Sequence, residues 1–289
     1  MKRAEVKMAM GAGMTRREMI AMSAAGAFTV IFHPRSMERG PACDYPMRDG
    51  VPRVDYHVHI GDGISVQRAV AIAKQRGLKF GVLQHAGMKG HGYALTDDDD
   101  LDTWIRSLDG LPVFKGIEGE GPDWMSAFSK ASLARLDYAQ ADPFAVPDKT
   151  GKPMEIWRPE FRPDNEQEFM DRYVDYHLLL ITTFPIDILA VPTILPQTLR
   201  ADYDRLWTPK RMSRVIDALV KHEVALEIDS RFRVPGAPFL DAANAAGVTF
   251  AFGSNYQTIE GIGDISYGVE AYRRLELTTE RFFCPGRRG

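Results

Sequence analysis

The sequence predicts an α/β fold, a closed and slightly irregular single-domain barrel of seven βα units. Three observations predict it. From Val51 onward, short β-branched or apolar runs alternate with longer helix-like segments, the pattern of βα units repeated on a parallel sheet. Ligand-capable polar residues fall at the C-terminal ends of these runs, where barrels place their chemistry. The chain has 289 residues, 45% hydrophobic and 26% charged, enough for one large core.

The candidate strands, in order, are Val51–His57, Phe80–Gln84, Val113–Ile117, Leu136–Ala141, Ile186–Val191, Val224–Ile228 and Thr249–Gly253. Helical stretches between them include Val66–Arg76, Glu166–Thr182, Pro209–His222 and Pro238–Ala246. Pro209 and Pro238 fall in first helical turns, and Gly77 and Gly247 sit where helices stop. The acidic run Asp97–Asp100 reads as a solvated helix start, with a cation-binding loop as the other reading. Pro143 to Pro163, rich in Pro, Lys and Asp, reads as an inserted βα loop that covers the barrel mouth.

Residues 1 to about 45 differ in kind from the rest and read as a signal and linker, leaving 46–289 as the barrel domain. Lys2, Arg3 and Lys7 precede the pair Arg16-Arg17, and Met19 to Phe32 is free of charge. This looks like a twin-arginine export signal, too short to leave a stable membrane span. It predicts the twin-arginine machinery as a partner and a periplasmic or extracellular location. Arg39 to Cys43 faintly resembles a lipoprotein cleavage box, but Pro41 fits it poorly.

Composition excludes other classes. A net charge of −3 gives no basic field for a phosphate backbone, so nucleic acid is not an expected partner. Two cysteines, Cys43 and Cys284 at opposite ends of the chain, are expected to build neither a disulfide framework nor a thiolate metal cluster. Any metal must then rest on His, Asp, Glu or amide ligands.

The first strand carries the sharpest chemical pattern. In Val54-Asp55-Tyr56-His57-Val58-His59, alternation puts both histidines on one face, where they can share an ion. Two imidazoles buried together without a counter-charge are costly, which favours ligands over core histidines. The second strand ends in His85, and the third in Glu118 and Glu120, which share one side of the strand, so spacing does not choose between them. A carboxylate beside imidazoles supplies the charge a divalent cation needs.

Asp-Tyr-His-Val-His, Leu-Gln-His-Ala-Gly, Gly-Ile-Glu and Thr-Phe-Ala-Phe-Gly-Ser-Asn occur in that order. With this spacing the chain resembles the polymerase-and-histidinol-phosphatase (PHP) family of metal-dependent phosphoesterases over about residues 51 to 285. The resemblance implies a distorted, TIM-like (βα)7 barrel, divalent metal such as zinc, manganese or iron, and phosphoester hydrolysis. By position it implies His57, His59, Glu118 and Asn255 as metal-site residues, and His85 as the second-strand histidine. The chain departs from the pattern at Asn255 and Gln257, where a family member carries aspartate and histidine, and at Phe144 and Val191, which stand near places of family histidines. Those departures predict a single ion rather than a three-metal cluster.

A single ion with an open position activates water. His85 or Asp142 is the expected proton acceptor. Arg231 and Arg233, beyond the sixth strand, and Gln257 are candidates to bind the anionic group of a small-molecule substrate, with surface ion pairs to Glu227 or Asp229 as the other reading of the arginines. Three functions stay open: an exported metal-dependent phosphoesterase or related hydrolase, a degenerate barrel that binds a ligand or metal without turnover, and a hydrolase of amidohydrolase type.

Overall fold

The computed structural model describes residues 43–61 and 63–286. The stretch on which the export signal is expected lies outside them. A small antiparallel hairpin, β1 (Met47–Arg48) and β2 (Val51–Pro52), leads into a nearly closed barrel. Its strands are β3 (Val54–His59), β4 (Lys79–Leu83), β6 (Val113–Gly119), β7 (Tyr138–Ala141), β8 (Ile188–Leu189), β9 (Ala225–Asp229) and β10 (Phe250–Gly253). They are parallel in the order β10-β9-β8-β7-β6-β4-β3, and the short β5 (His85–Ala86) pairs with β6. Between the ends of the row, Asn255 N–H donates to the His57 carbonyl at 3.0 Å and Ser254 N–H to Asp55 Oδ1 at 2.9 Å. Every strand read from the sequence is present.

Among the described residues eight helices surround the sheet: α1 (Val66–Arg76), α2 (Asp98–Ser107), α3 (Lys130–Leu133), α4 (Glu166–Thr183), α5 (Tyr203–Leu206), α6 (Pro209–His222), α7 (Ala237–Ala246) and α8 (Ser266–Arg274). The local chemistry explains their ends. Ser65 and Thr208 cap α1 and α6 through their hydroxyls, and Gly77 and Gly247 take left-handed conformations at φ 62° and 93°. The acidic run opens α2, with the Asp97 carboxylate accepting from Asp100 N–H. Its charge offsets the positive end of the helix dipole, as a solvated helix start requires. The segment from Pro143 to Pro163 connects β7 to α4, burying Val146 and Ile156 while leaving Trp157 53% exposed.

Two details of the barrel position the site. Asp55 pairs with Phe80 and Val58 with Val82, so Tyr56 and His57 stand opposite Gly81 alone. This bulge turns both side chains inward from neighbouring positions. Below the mouth the Tyr138 ring fills the space beside Gly81 and Gly116, and its hydroxyl donates to the Tyr56 carbonyl at 2.6 Å. A Cβ on Gly116 would lie 2.3 Å from Tyr138 Cζ. Gly116→Ala is therefore expected to lower stability by about 1–3 kcal/mol through overpacking, read as a lower urea midpoint at unchanged slope.

The opposite end of the barrel is closed by the first and last described segments. Tyr56 packs against Phe114, Tyr138 and Phe283, and its hydroxyl donates to the Phe283 carbonyl at 3.2 Å. Cys43 and Cys284 form a disulfide across a Cα–Cα distance of 5.7 Å. This corrects the expectation drawn from the cysteines. They are 241 residues apart in sequence, but closing the barrel brings the first and last described segments side by side.

Candidate metal centre

Strand alternation delivers the site. On β6, Phe114, Gly116 and Glu118 share the interior face, and Glu120 continues it beyond the strand end. On β7 the interior positions are Tyr138 and Gln140, followed by Asp142; on β9 they are Ala225, Glu227 and Asp229. With His57 and His59 from β3 and His85 from β5, the C-terminal mouth gathers three imidazoles and five carboxylates.

Glu118 is the hub. It is 1% exposed, and its Oε1 lies 3.3 Å from His57 Nε2. Its Oε2 lies 3.3 Å from His59 Nε2 and 3.4 Å from His85 Nδ1, while Gln140 Nε2 donates to Oε1 at 3.1 Å. His57 Nε2 and His59 Nε2 are 3.0 Å apart. His85 Nδ1 is 2.6 Å from Glu120 Oε1. On its other side, His57 Nδ1 is 2.7 Å from Glu227 Oε1. Among the described residues three groups thus hold donor atoms close enough for an ion, namely His57–His59–Glu118, His57–Glu227–Asp229 and His85–Glu118–Glu120.

The charges show what this arrangement lacks. Burial raises the Asp142 carboxyl well above the ordinary range, helped by Glu120 and Glu118. Burial, then Glu227, pushes Asp229 up to about 8. Burial works against protonated His57, yet Glu227 and Glu118 hold its pKa well above the usual imidazole value. Burial takes His59 down to about 3, and its neighbours His57, His85 and Arg231 add to the effect. Glu118, which burial alone would raise, is held far below the carboxylate range by His57, His59 and His85. Acids crowded in this way relieve their repulsion by taking up protons or by sharing a cation. Asp229 Oδ2 and Gln140 Oε1 are buried with no hydrogen-bond partner among the described residues. Imidazole and carboxylate donors, surplus negative charge and orphaned oxygens together fit a divalent cation.

A scan against protein-family models finds no match, and neither does a search of curated proteins. Among solved structures the chain is similar to histidinol phosphate phosphatase from Lactococcus lactis subsp. lactis Il1403, crystallised with zinc, L-histidinol and phosphate. The identity is 16% and the TM-score 0.53, over 77% of this chain and 93% of that one. What the two share is the barrel. A β-mannanase from Streptomyces thermolilacinus also matches, at 15% identity and TM-score 0.35, over 79% of this chain and 78% of that one.

The structure places the remaining sequence candidates as follows. Asn255 is buried, in a left-handed conformation at φ 53°, and acts on the Asp229 carboxyl through its side chain. Asp142 is buried at the end of β7, its Oδ1 accepting from Phe144 N–H at 2.9 Å. Arg231 is exposed at the rim, where its Nη1 donates to the Asn255 carbonyl at 3.1 Å. Arg233 turns away to Glu270 at 3.1 Å, and Gln257 is exposed beyond β10. Of the two places expected for family histidines, Phe144 packs against Trp157 and Phe232, and Val191 donates its backbone N–H to Glu227 Oε2 at 2.6 Å.

Glu227 and Asp229 are the residues the sequence reading passed over. It treats them as surface partners for Arg231 or Arg233, but they are 1% and 0% exposed and face the barrel interior. The signal is the one that finds His57 and His59. In Leu226-Glu227-Ile228-Asp229, acids two apart at a strand's C-terminal end share one face.

Proposed function

We propose that this protein is an exported metal-dependent hydrolase of small anionic phosphate esters. The observation that carries the reading is Glu118, buried between His57, His59 and His85 at the mouth of a barrel shared with a phosphatase. His57, His59 and Glu118 would hold one divalent ion, and His85, Glu118 and Glu120 offer a second position. A bound divalent ion supplies Lewis acidity and a water ionised near neutral pH. The residues do the rest. Asp142, buried near Glu120 and Glu118, would hold a proton at the reacting end. The exposed Arg231 guanidinium offers paired N–H donors to a phosphoryl group entering past Asn255. The Cys43–Cys284 disulfide supports export, since such bonds persist in oxidising compartments.

The test is metal content by elemental mass spectrometry on full-length protein prepared without chelator or a metal-binding tag, followed by phosphate release from a panel of phosphomonoesters. One or two zinc, manganese or iron ions per chain with turnover removed by chelation is the expected result. Bound metal without phosphate release from any ester would turn the reading toward binding or C–N hydrolysis, and no metal after reconstitution would end it.

A further inference from the structure

Resting on the metal reading above, we infer that Glu227 is a positioning residue, which fixes the His57 ring so that Nδ1 carries the proton and Nε2 faces the ion. The geometry is specific. Glu227 Oε1 is 2.7 Å from His57 Nδ1, and Oε2 accepts the backbone N–H of Val191 at 2.6 Å. Both groups are buried, so neither contact competes with water. The backbone on either side is shaped to keep this carboxylate in place. Val191 is β-branched yet sits in the left-handed region at φ 40°, a costly conformation that aims its N–H at Glu227. Opposite, Gly253 leaves the space that Glu227 fills. A Cβ there would lie 1.7 Å from Oε1 and 2.8 Å from His57 Cβ.

The chemistry selects a carboxylate for this place. Both of its oxygens face an N–H donor, which an ionised carboxylate satisfies at once and an amide cannot. With Nδ1–H given to Glu227, the His57 Nε2 lone pair points toward His59 Nε2 at 3.0 Å and Glu118 Oε1 at 3.3 Å, where the first ligand group converges. The competing arrangement takes Glu227, with Asp229, as a direct ligand beside His57 Nδ1. That would make Nδ1 the ligating nitrogen and leave the proton on Nε2, facing His59 and Glu118.

The experiment is a titration of metal-free full-length protein with Co²⁺, followed by its d–d absorption, for wild type and Glu227→Gln. The glutamine must set an N–H against either Val191 N–H or His57 Nδ1–H. Its expected signature is the same number of Co²⁺ per chain, a Kd weaker by roughly 10–100-fold and an altered spectrum, with an unchanged far-UV circular dichroism spectrum. Loss of a whole equivalent of Co²⁺ would make Glu227 a ligand and overturn the inference, as would an unchanged Kd and spectrum. Should the variant fail to fold, ¹⁵N NMR of the wild-type imidazoles decides, with a protonated Nδ1 and a metallated Nε2 at His57 expected and the reverse overturning it. Wild type that binds no Co²⁺ is a different failure, that of the metal reading itself.

Discussion

On the proposed function, Glu118→Gln is expected to empty the metal centre and lower phosphoester turnover by at least about a thousandfold, with the barrel still folded. The size of the effect follows from the position. Glu118 reaches His57 through Oε1 and both His59 and His85 through Oε2, so it belongs to two of the three ligand groups. An amide of the same shape removes the negative charge and leaves one oxygen where two are needed. Lewis-acid stabilisation of the reacting phosphoryl group is worth several kcal/mol, and each 1.4 kcal/mol is a factor of ten in rate. The packed layer of Tyr138, Phe114 and Tyr56 lies beneath the site and does not depend on Glu118, which is why the fold is expected to survive. Metal per chain, circular dichroism and phosphate release measured on one preparation check the three parts together. A Glu118→Gln protein that kept its metal and its turnover would place the chemistry elsewhere on the molecule.

What the sequence made legible is whatever obeys a short repeat. Short apolar, β-branched runs located the strands, and period-two alternation put His57 and His59 on one face. Helix ends were legible because Gly77, Gly247, Pro209 and the Asp97 run each have a local physical reason to be there. The bulge opposite Gly81 was not legible, because it depends on the pairing of two strands rather than on the residues of one. Glu227 was visible by the same alternation as the histidines, but its partner is 170 residues away in His57, and its other contact is the backbone N–H of Val191. A reading by matched positions treats Val191 as a lost histidine. In three dimensions the backbone of that residue holds a carboxylate. The two arginines diverge for a related reason, since Arg231 and Arg233 are near neighbours in sequence and yet one faces the Asn255 carbonyl and the other Glu270.

The second large effect concerns the end of the barrel away from the mouth. Cys43→Ser is expected to lower the thermal midpoint by roughly 5–15 °C while leaving metal content and turnover intact. The bond spans 241 residues, and closing so long a loop removes much of the freedom of the unfolded chain. The chain-entropy model gives about 5 kcal/mol for a loop of this order, and measured disulfides more often contribute about 2–4 kcal/mol. For a domain of this size each kcal/mol moves the midpoint by about 2–4 °C. The native side agrees. Tyr45, two residues after Cys43, meets Phe282 edge-on at 5.9 Å, and Phe283, beside Cys284, donates its N–H to the Phe250 carbonyl at 2.7 Å. The disulfide therefore joins two segments already packed against the floor of the barrel, and Tyr56 and Tyr138 lie between that floor and His57. The same loss of stability should follow when wild-type protein is reduced, and Cys284→Ser combined with Cys43→Ser should cost no more than either alone. Scanning calorimetry with and without reductant tests this, and an identical midpoint in the two conditions would show that the bond does not stabilise the fold. If the drop appears, a reducing compartment would cost this barrel several kcal/mol.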